Sequence, residues 1–124
     1  MTIRVGVIGA TGRMGATVCA AIAADKNLEL VAAVDTASTG SVVQGVTVSK
    51  DLRALADAKV DVAVDFTVAA ASRVNLPWLA MHNMHAVVGT TGFTDQDIAD
   101  FSKIFTASNC IVAPNFAIGA VLMM

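Results

Sequence analysis

The chain has 124 residues, 56% hydrophobic and 15% charged, with a net charge of −2, which fits one domain with a single buried core. Its mean hydropathy of +0.69 does not point to a membrane: the apolar runs at 30–34, 62–64 and 86–88 stop at Asp or Gly, whereas a spanning helix needs about 20 apolar residues. An acidic balance, with pI near 5.4 and no Lys/Arg cluster, argues against a nucleic-acid partner.

The β-branched run 3–8 stops at Gly9 and reads as a strand. No charged segment followed by an apolar one precedes it, so the expectation is a cytoplasmic protein. Met14, Val18, Ala21 and Ile22 recur at helical spacing, the stripe of a helix lying on a sheet. Residues 28–34 form a second strand with Asp35 at its end, which completes β-α-β in about 33 residues, the size of one crossover unit.

The stretch 36–48 carries Ser, Thr and Gly and is the loosest, with room for a short strand at 46–48. A brief helix at 51–58 and a strand at 61–66 follow. The next helical segment, 68–83, contains Pro77, which removes a backbone donor and predicts a kink or a restart. A strand at 85–89 ends in Gly89-Thr90-Thr91-Gly92. Thr94 and Asp97 have the spacing of a capping box, with Asp in place of Glu or Gln, and Ile98, Phe101 and Phe105 supply the helical face behind it. A last strand at 110–113 leads into a helix from 116 to 124, whose apolar, uncapped end reads as a domain cut short. The alternation implies an α/β fold of Rossmann type: a doubly wound, mainly parallel sheet with helices on both faces, spanning 1–124 as a dinucleotide-binding domain.

The sharpest chemical signal is Gly9-Ala10-Thr11-Gly12-Arg13-Met14-Gly15, set between a strand and a helix. Gly9 permits a tight turn, Gly12 lets backbone approach a pyrophosphate, and Gly15 lets the helix pack close to the strands. The first helical N–H groups and the helix dipole then face the phosphates. The spacing is G-x-x-G-x-x-G rather than G-x-G-x-x-G, but Asp35 follows Gly15 by about 20 residues, as the fingerprint asks. Asp35 is placed to accept from an adenosine ribose, which favours NAD. Arg13 opposes the helix dipole unless an anion is near, and pulls towards a 2′-phosphate or a stacked adenine. Cofactor choice between NADH and NADPH stays open.

Three more strand ends, Asp65-Phe66-Thr67, the Gly89 segment and Ala113-Pro114-Asn115-Phe116, would line one crevice beyond the carboxyl edge of the sheet. His82 and His85 lack a nucleophile or acid beside them in the sequence and read as structural. Met81, Met84, Met123 and Met124 read as core or interface filler, and Cys19 and Cys110, without metal-ligand spacing, as buried reduced thiols. No metal is expected.

Together, the run from Val7 to Gly15, the Asp65-Phe66-Thr67 segment, His85-Ala86-Val87-Val88-Gly89-Thr90-Thr91-Gly92-Phe93 and Ala113-Pro114-Asn115-Phe116-Ala117-Ile118-Gly119 closely resemble the dihydrodipicolinate reductases, also called 4-hydroxy-tetrahydrodipicolinate reductases. The resemblance implies hydride transfer from NADH or NADPH to a cyclic dicarboxylate on the diaminopimelate route to lysine. By matching position it implies Gly9, Ala10, Thr11, Gly12, Arg13 and Met14 at the pyrophosphate and adenosine, and Asp35 at the ribose. Gly89, Thr90, Thr91, Ala113, Pro114, Asn115 and Phe116 would lie near the nicotinamide.

Many members carry a basic residue just after the ribose-binding acid; here it is Thr36, which weighs against a strong NADPH preference. The family's second domain supplies a His-His-x-x-Lys-type segment, a Ser-Gly-Thr turn and the tetramer contacts, and nothing in this chain matches them. The resemblance therefore implies no catalytic residue here, a chain inactive alone, a homotetramer at full length, and an apolar patch at 117–124. Two rivals are another two-domain dehydrogenase, such as homoserine or aspartate-semialdehyde dehydrogenase, and a non-catalytic dinucleotide sensor. The GTTGF and PNFAIG segments count against the first. A catalytic short-chain enzyme would need a Tyr-x-x-x-Lys pair, and the chain has no tyrosine.

Overall fold

A computed structural model describes residues 3–36, 39–89, 93–106, 108 and 110–112. Among the described residues, seven strands form one sheet in the order β3-β4-β2-β1-β5-β6-β7. They are β1 (Ile3–Ile8), β2 (Leu28–Val34), β3 (Val42–Val43), β4 (Val46–Ser49), β5 (Val62–Asp65), β6 (His85–Val88) and β7 (Cys110–Val112). Every pairing is parallel except the short β3–β4 hairpin. Its two-residue loop, Gln44-Gly45, takes positive φ at both positions, as a type I′ turn requires. The sequence had suggested β4 alone; β3 is an addition.

Side chains alternate cleanly across the parallel strands and so build two cores. Val5, Val7, Ala33, Val64 and Val87 face one side, where they meet Val18, Cys19 and Ile22 of helix α1 (Arg13–Ala24). Ile8, Ala32, Val34, Ala63, Ala86 and Val88 face the other. There they meet helices α2 (Arg53–Asp57), α3 (Ala69–Met81) and α4 (Asp95–Ile104) through Leu55, Leu76, Leu79 and Phe101. Helix α1 follows β1 towards one edge of the sheet and α3 follows β5 towards the other. Crossovers of one hand running in opposite directions put their helices on opposite faces, which is the doubly wound arrangement. The fully buried Ile22, Leu55, Leu76 and Leu79 each contribute about 1.5–3 kcal/mol.

Several local expectations are corrected. The buried face of α1 is Gly15, Val18, Cys19 and Ile22: Val18 and Ile22 are buried as read, but Gly15 and Cys19 take the places of Met14, which is half exposed, and Ala21, which is exposed. Small Gly15 and Cys19 take the inner face because the helix lies close to the strands. Helix α3 runs through Pro77 without a restart and ends at Met81, with His82 as its C-cap and Asn83, at φ 56, in the left-handed conformation common just past a helix end. Met84 is core, but Met81 is 79% exposed, and Ile98 is also exposed. In α4, Thr94 Oγ1 accepts from the Asp97 amide while Asp97 accepts from the Thr94 amide, the capping box as read. Cys19 is buried, Cys110 only half-buried, and neither is bridged; burial pushes both thiols up to about 11. The helix read at 116–124 lies outside the described residues.

Candidate functional site

The carboxyl ends of β1, β2, β4 and β5 open into a cavity of about 390 Å³. It sits beside β1, where the strand order reverses between β2 on one flank and β5 on the other. Such a reversal splits the loops apart and leaves a crevice, the usual ligand position in an open α/β sheet.

The turn after β1 forms the inner edge of that crevice. Gly9 has φ +84, a conformation glycine reaches without strain, and its amide donates to Val34 O at 2.7 Å. A Cβ on Gly15 would run into the Gly9 carbonyl, so α1 approaches the turn as closely as it does only because residue 15 is glycine. Gly12 is different: among the described residues its Cβ would meet Gly9 O alone, at 3.5 Å, an ordinary contact, and the residue borders the cavity. Gly12 is also the N-cap of α1 and no side chain caps that helix, so its first amides keep their capacity to hold an anion.

Asp35 stands at the end of β2 on the cavity wall. Its Oδ2 accepts from Thr11 Oγ1 at 2.6 Å and from the Thr11 amide at 3.1 Å. The Asp35 amide donates to Ser49 O at 2.8 Å, which fixes the adjoining end of β4 and brings Lys50 into the same wall.

The opposite wall depends on a buried carboxylate. Asp65, with no exposed surface, accepts at Oδ1 from the Thr67 amide (2.9 Å) and Thr67 Oγ1 (2.6 Å), and at Oδ2 from Asn75 Nδ2 (3.2 Å). Thr67 Oγ1 also lies 3.2 Å from Ser72 Oγ. These bonds hold the 66–68 turn against α3, and Phe66, Thr67 and Asn75 border the cavity as a result. Gly89, whose amide donates to Asp65 O at 2.9 Å, sits where a Cβ would enter the Phe66 ring.

Gly9, Gly12 and Asp35 are thus brought together at the cavity, Ala10 is buried beneath the turn, and Thr11 braces Asp35. Arg13 and Met14 open α1 on its exposed side and do not border the cavity. Gly89 lies behind Phe66. Thr90, Thr91, Ala113, Pro114, Asn115 and Phe116 lie outside the described residues. The sequence reading missed Lys50, Leu52 and Asn75. Lys50 was within reach, because it follows a strand that ends beside Asp35; Asn75 was not, because only the packing of α3 brings it to Asp65. His82 packs its ring on Trp78 at 3.9 Å and bonds the Trp78 carbonyl through Nδ1, a structural role. Among the described residues no His, Cys, Asp and Glu cluster is placed to hold a metal, and no helix is long and apolar enough to cross a membrane.

Residues 3–116 match the family model described as dihydrodipicolinate reductase, N-terminus. The chain is 41% identical over 126 aligned positions to the 4-hydroxy-tetrahydrodipicolinate reductase of Streptococcus pneumoniae strain Hungary19A-6; the match covers 100% of this chain and 49% of that protein. Among solved structures it is similar to a dipicolinate-bound dihydrodipicolinate reductase from Paenisporosarcina sp. TG-14, with a TM-score of 0.81 at 35% identity over 99% of this chain and 51% of that one. The gentamicin A biosynthesis protein GenD2, solved in complex with NAD, matches at a TM-score of 0.78 over 93% of this chain and 35% of that one; at 21% identity this shows a shared fold. The chain spans about half the length of the curated relatives it matches.

Proposed function

Since the chain belongs to the dihydrodipicolinate reductase N-terminal family, we propose that it binds a nicotinamide dinucleotide for the reduction of a cyclic dicarboxylate. The observation that carries this reading is the cavity at the strand-order reversal, edged by a glycine turn and an aspartate. The residues present fit such a group. Gly12 leaves the approach to an uncapped helix N-terminus open, so backbone amides of 12–14 would hold the pyrophosphate, and Asp35 would accept from a ribose hydroxyl. In this reading Gly89, Thr90, Thr91, Ala113, Pro114, Asn115 and Phe116 lie near the nicotinamide.

When bound, the reduced nicotinamide supplies the hydride. This chain's own residues orient it and form an apolar wall through Ile8, Val34 and Phe66 that keeps water from the ring system. The cationic clamp for the substrate carboxylates and the proton donor belong to a second domain, in the half of the relatives' length that this chain does not span, and the tetramer contacts belong there too. A relative that binds dipicolinate is consistent with a dicarboxylate as the reacting partner. Calorimetric titration with NADH and NADPH tests the proposal. Saturable binding, lost in Gly12→Leu while the circular dichroism spectrum stays unchanged, is the expected result; a folded chain that binds neither cofactor would overturn it.

A further inference from the structure

Among the described residues, Lys50 is the one charged residue besides Asp35 that borders the cavity. The register that pairs Val34 with Ser49 makes the two residues neighbours at adjoining strand ends, and the bond from the Asp35 amide to Ser49 O fixes that relationship. Lys50 is exposed and takes part in no ion pair among the described residues, whereas Arg4 is matched by Glu29 and Arg73 by Asp97. Its charge is therefore uncommitted. Thr36, directly after Asp35, also borders the cavity and is neutral, and Arg13 does not border it.

We propose that Lys50 is the cation that admits a 2′-phosphate at this ribose position, so that the pocket accepts both NADH and NADPH. The proposal rests on the dinucleotide reading above. A carboxylate such as Asp35 bonds a 2′-hydroxyl well and repels a phosphate in its place. An ammonium on a four-carbon stem, one strand away, offsets that repulsion as a mobile point charge and leaves the hydroxyl contact of the unphosphorylated ribose untouched. The two cofactors would then be bound with similar affinity, each by a different member of the Asp35/Lys50 pair.

The test is a calorimetric comparison of the whole chain with Lys50→Gln and Arg13→Gln, using NADH, NADPH, 5′-AMP and adenosine 2′,5′-bisphosphate. The smaller probes require only the adenosine end of the site. Lys50→Gln should weaken the two 2′-phosphorylated ligands about tenfold, the loss of one charge-assisted hydrogen bond. NADH and 5′-AMP should stay within about twofold, and the salt dependence of NADPH binding should become shallower. Equal weakening of all four ligands, or none, would overturn the assignment. Selective loss in Arg13→Gln instead would transfer the role to the helix residue. A wild-type chain that binds NADH and rejects both phosphorylated ligands would refute the proposal while leaving the dinucleotide reading intact; folded protein that binds none of the four would refute both.

Discussion

The Thr11 hydroxyl lies 2.6 Å from Asp35 Oδ2, and the Thr11 amide lies 3.1 Å from the same oxygen. Two residues 24 apart in the sequence therefore lock the turn after β1 to the end of β2, and the carboxylate that would receive the ribose is already held in place. Thr11→Val keeps the side-chain shape and removes the hydroxyl donor. A hydrogen bond to a charged group contributes about 1.5–3 kcal/mol, and partial exposure puts this one near the lower end. The variant should melt at lower temperature and bind NADH several-fold more weakly, while Thr11→Ser retains both properties. Wild-type affinity in Thr11→Val would show that the brace is irrelevant to binding.

Gly12 and Gly15 should separate binding from stability. Alanine at 15 drives a methyl into the Gly9 carbonyl and forces α1 off the sheet, a packing conflict of about 1–3 kcal/mol. Alanine at 12 finds room beside Gly9 O, and φ of −71 suits any residue. Urea denaturation should thus show a clear loss for Gly15→Ala and little change for Gly12→Ala. Dinucleotide titration should show the converse sensitivity at Gly12, where the methyl occupies the approach to the amides. Equal destabilisation by the two substitutions would contradict this division.

Asp65 should be required for folding rather than for chemistry. Its carboxylate satisfies the Thr67 amide and hydroxyl and the Asn75 side chain in a fully covered site. Asp65→Ala removes the acceptor of all three bonds, and a buried donor that loses its acceptor costs about 1–3 kcal/mol. The variant should lose much of its cooperative unfolding transition, and Asn75→Ala should cost less because it removes one bond of the three. If Asp65→Ala melts like the wild type, the network does not hold the turn.

The pair between α3 and α4 gives a pH dependence of definite sign. Arg73 bonds both oxygens of Asp97 at 3.0 and 2.8 Å, and together with the Thr94 amide it holds that carboxyl well below the usual aspartate range. A depressed pKa stabilises the folded chain fully above the unfolded value, near 3.8, and that stabilisation is lost as pH falls through the folded value. Urea midpoints should fall from about pH 4 downward, and more shallowly in Asp97→Asn, whose midpoint is already lower at neutral pH. Parallel pH curves for wild type and Asp97→Asn would remove this pair from the account.

Most of the frame was legible because its signals are local. Runs 3–8 and 28–34 are short, apolar and bounded by Gly9 and Asp35, which is how strands β1 and β2 read, and the Gly9–Gly15 turn and Asp35 stand directly at their ends. What escaped the sequence depended on proximity between distant segments. The inner face of α1 includes Gly15, which no apolar stripe picks out although it sets how near the helix lies. The β3–β4 hairpin turned on Gln44-Gly45, a weaker signal than Asn-Gly, and its strand is only two residues long. Asn75 and Lys50 reach the cavity through helix packing and strand register, neither of which a linear pattern records.

The reversal of strand order around β1 has a hereditary consequence. The wall with Asp35, Thr36, Lys50 and Leu52 is encoded within 34–52, and the wall with Phe66, Thr67 and Asn75 within 66–75. A recombination event that exchanges the first stretch leaves the second intact. The two faces of the crevice can therefore vary independently of each other, because no residue of one wall lies within the stretch that encodes the other.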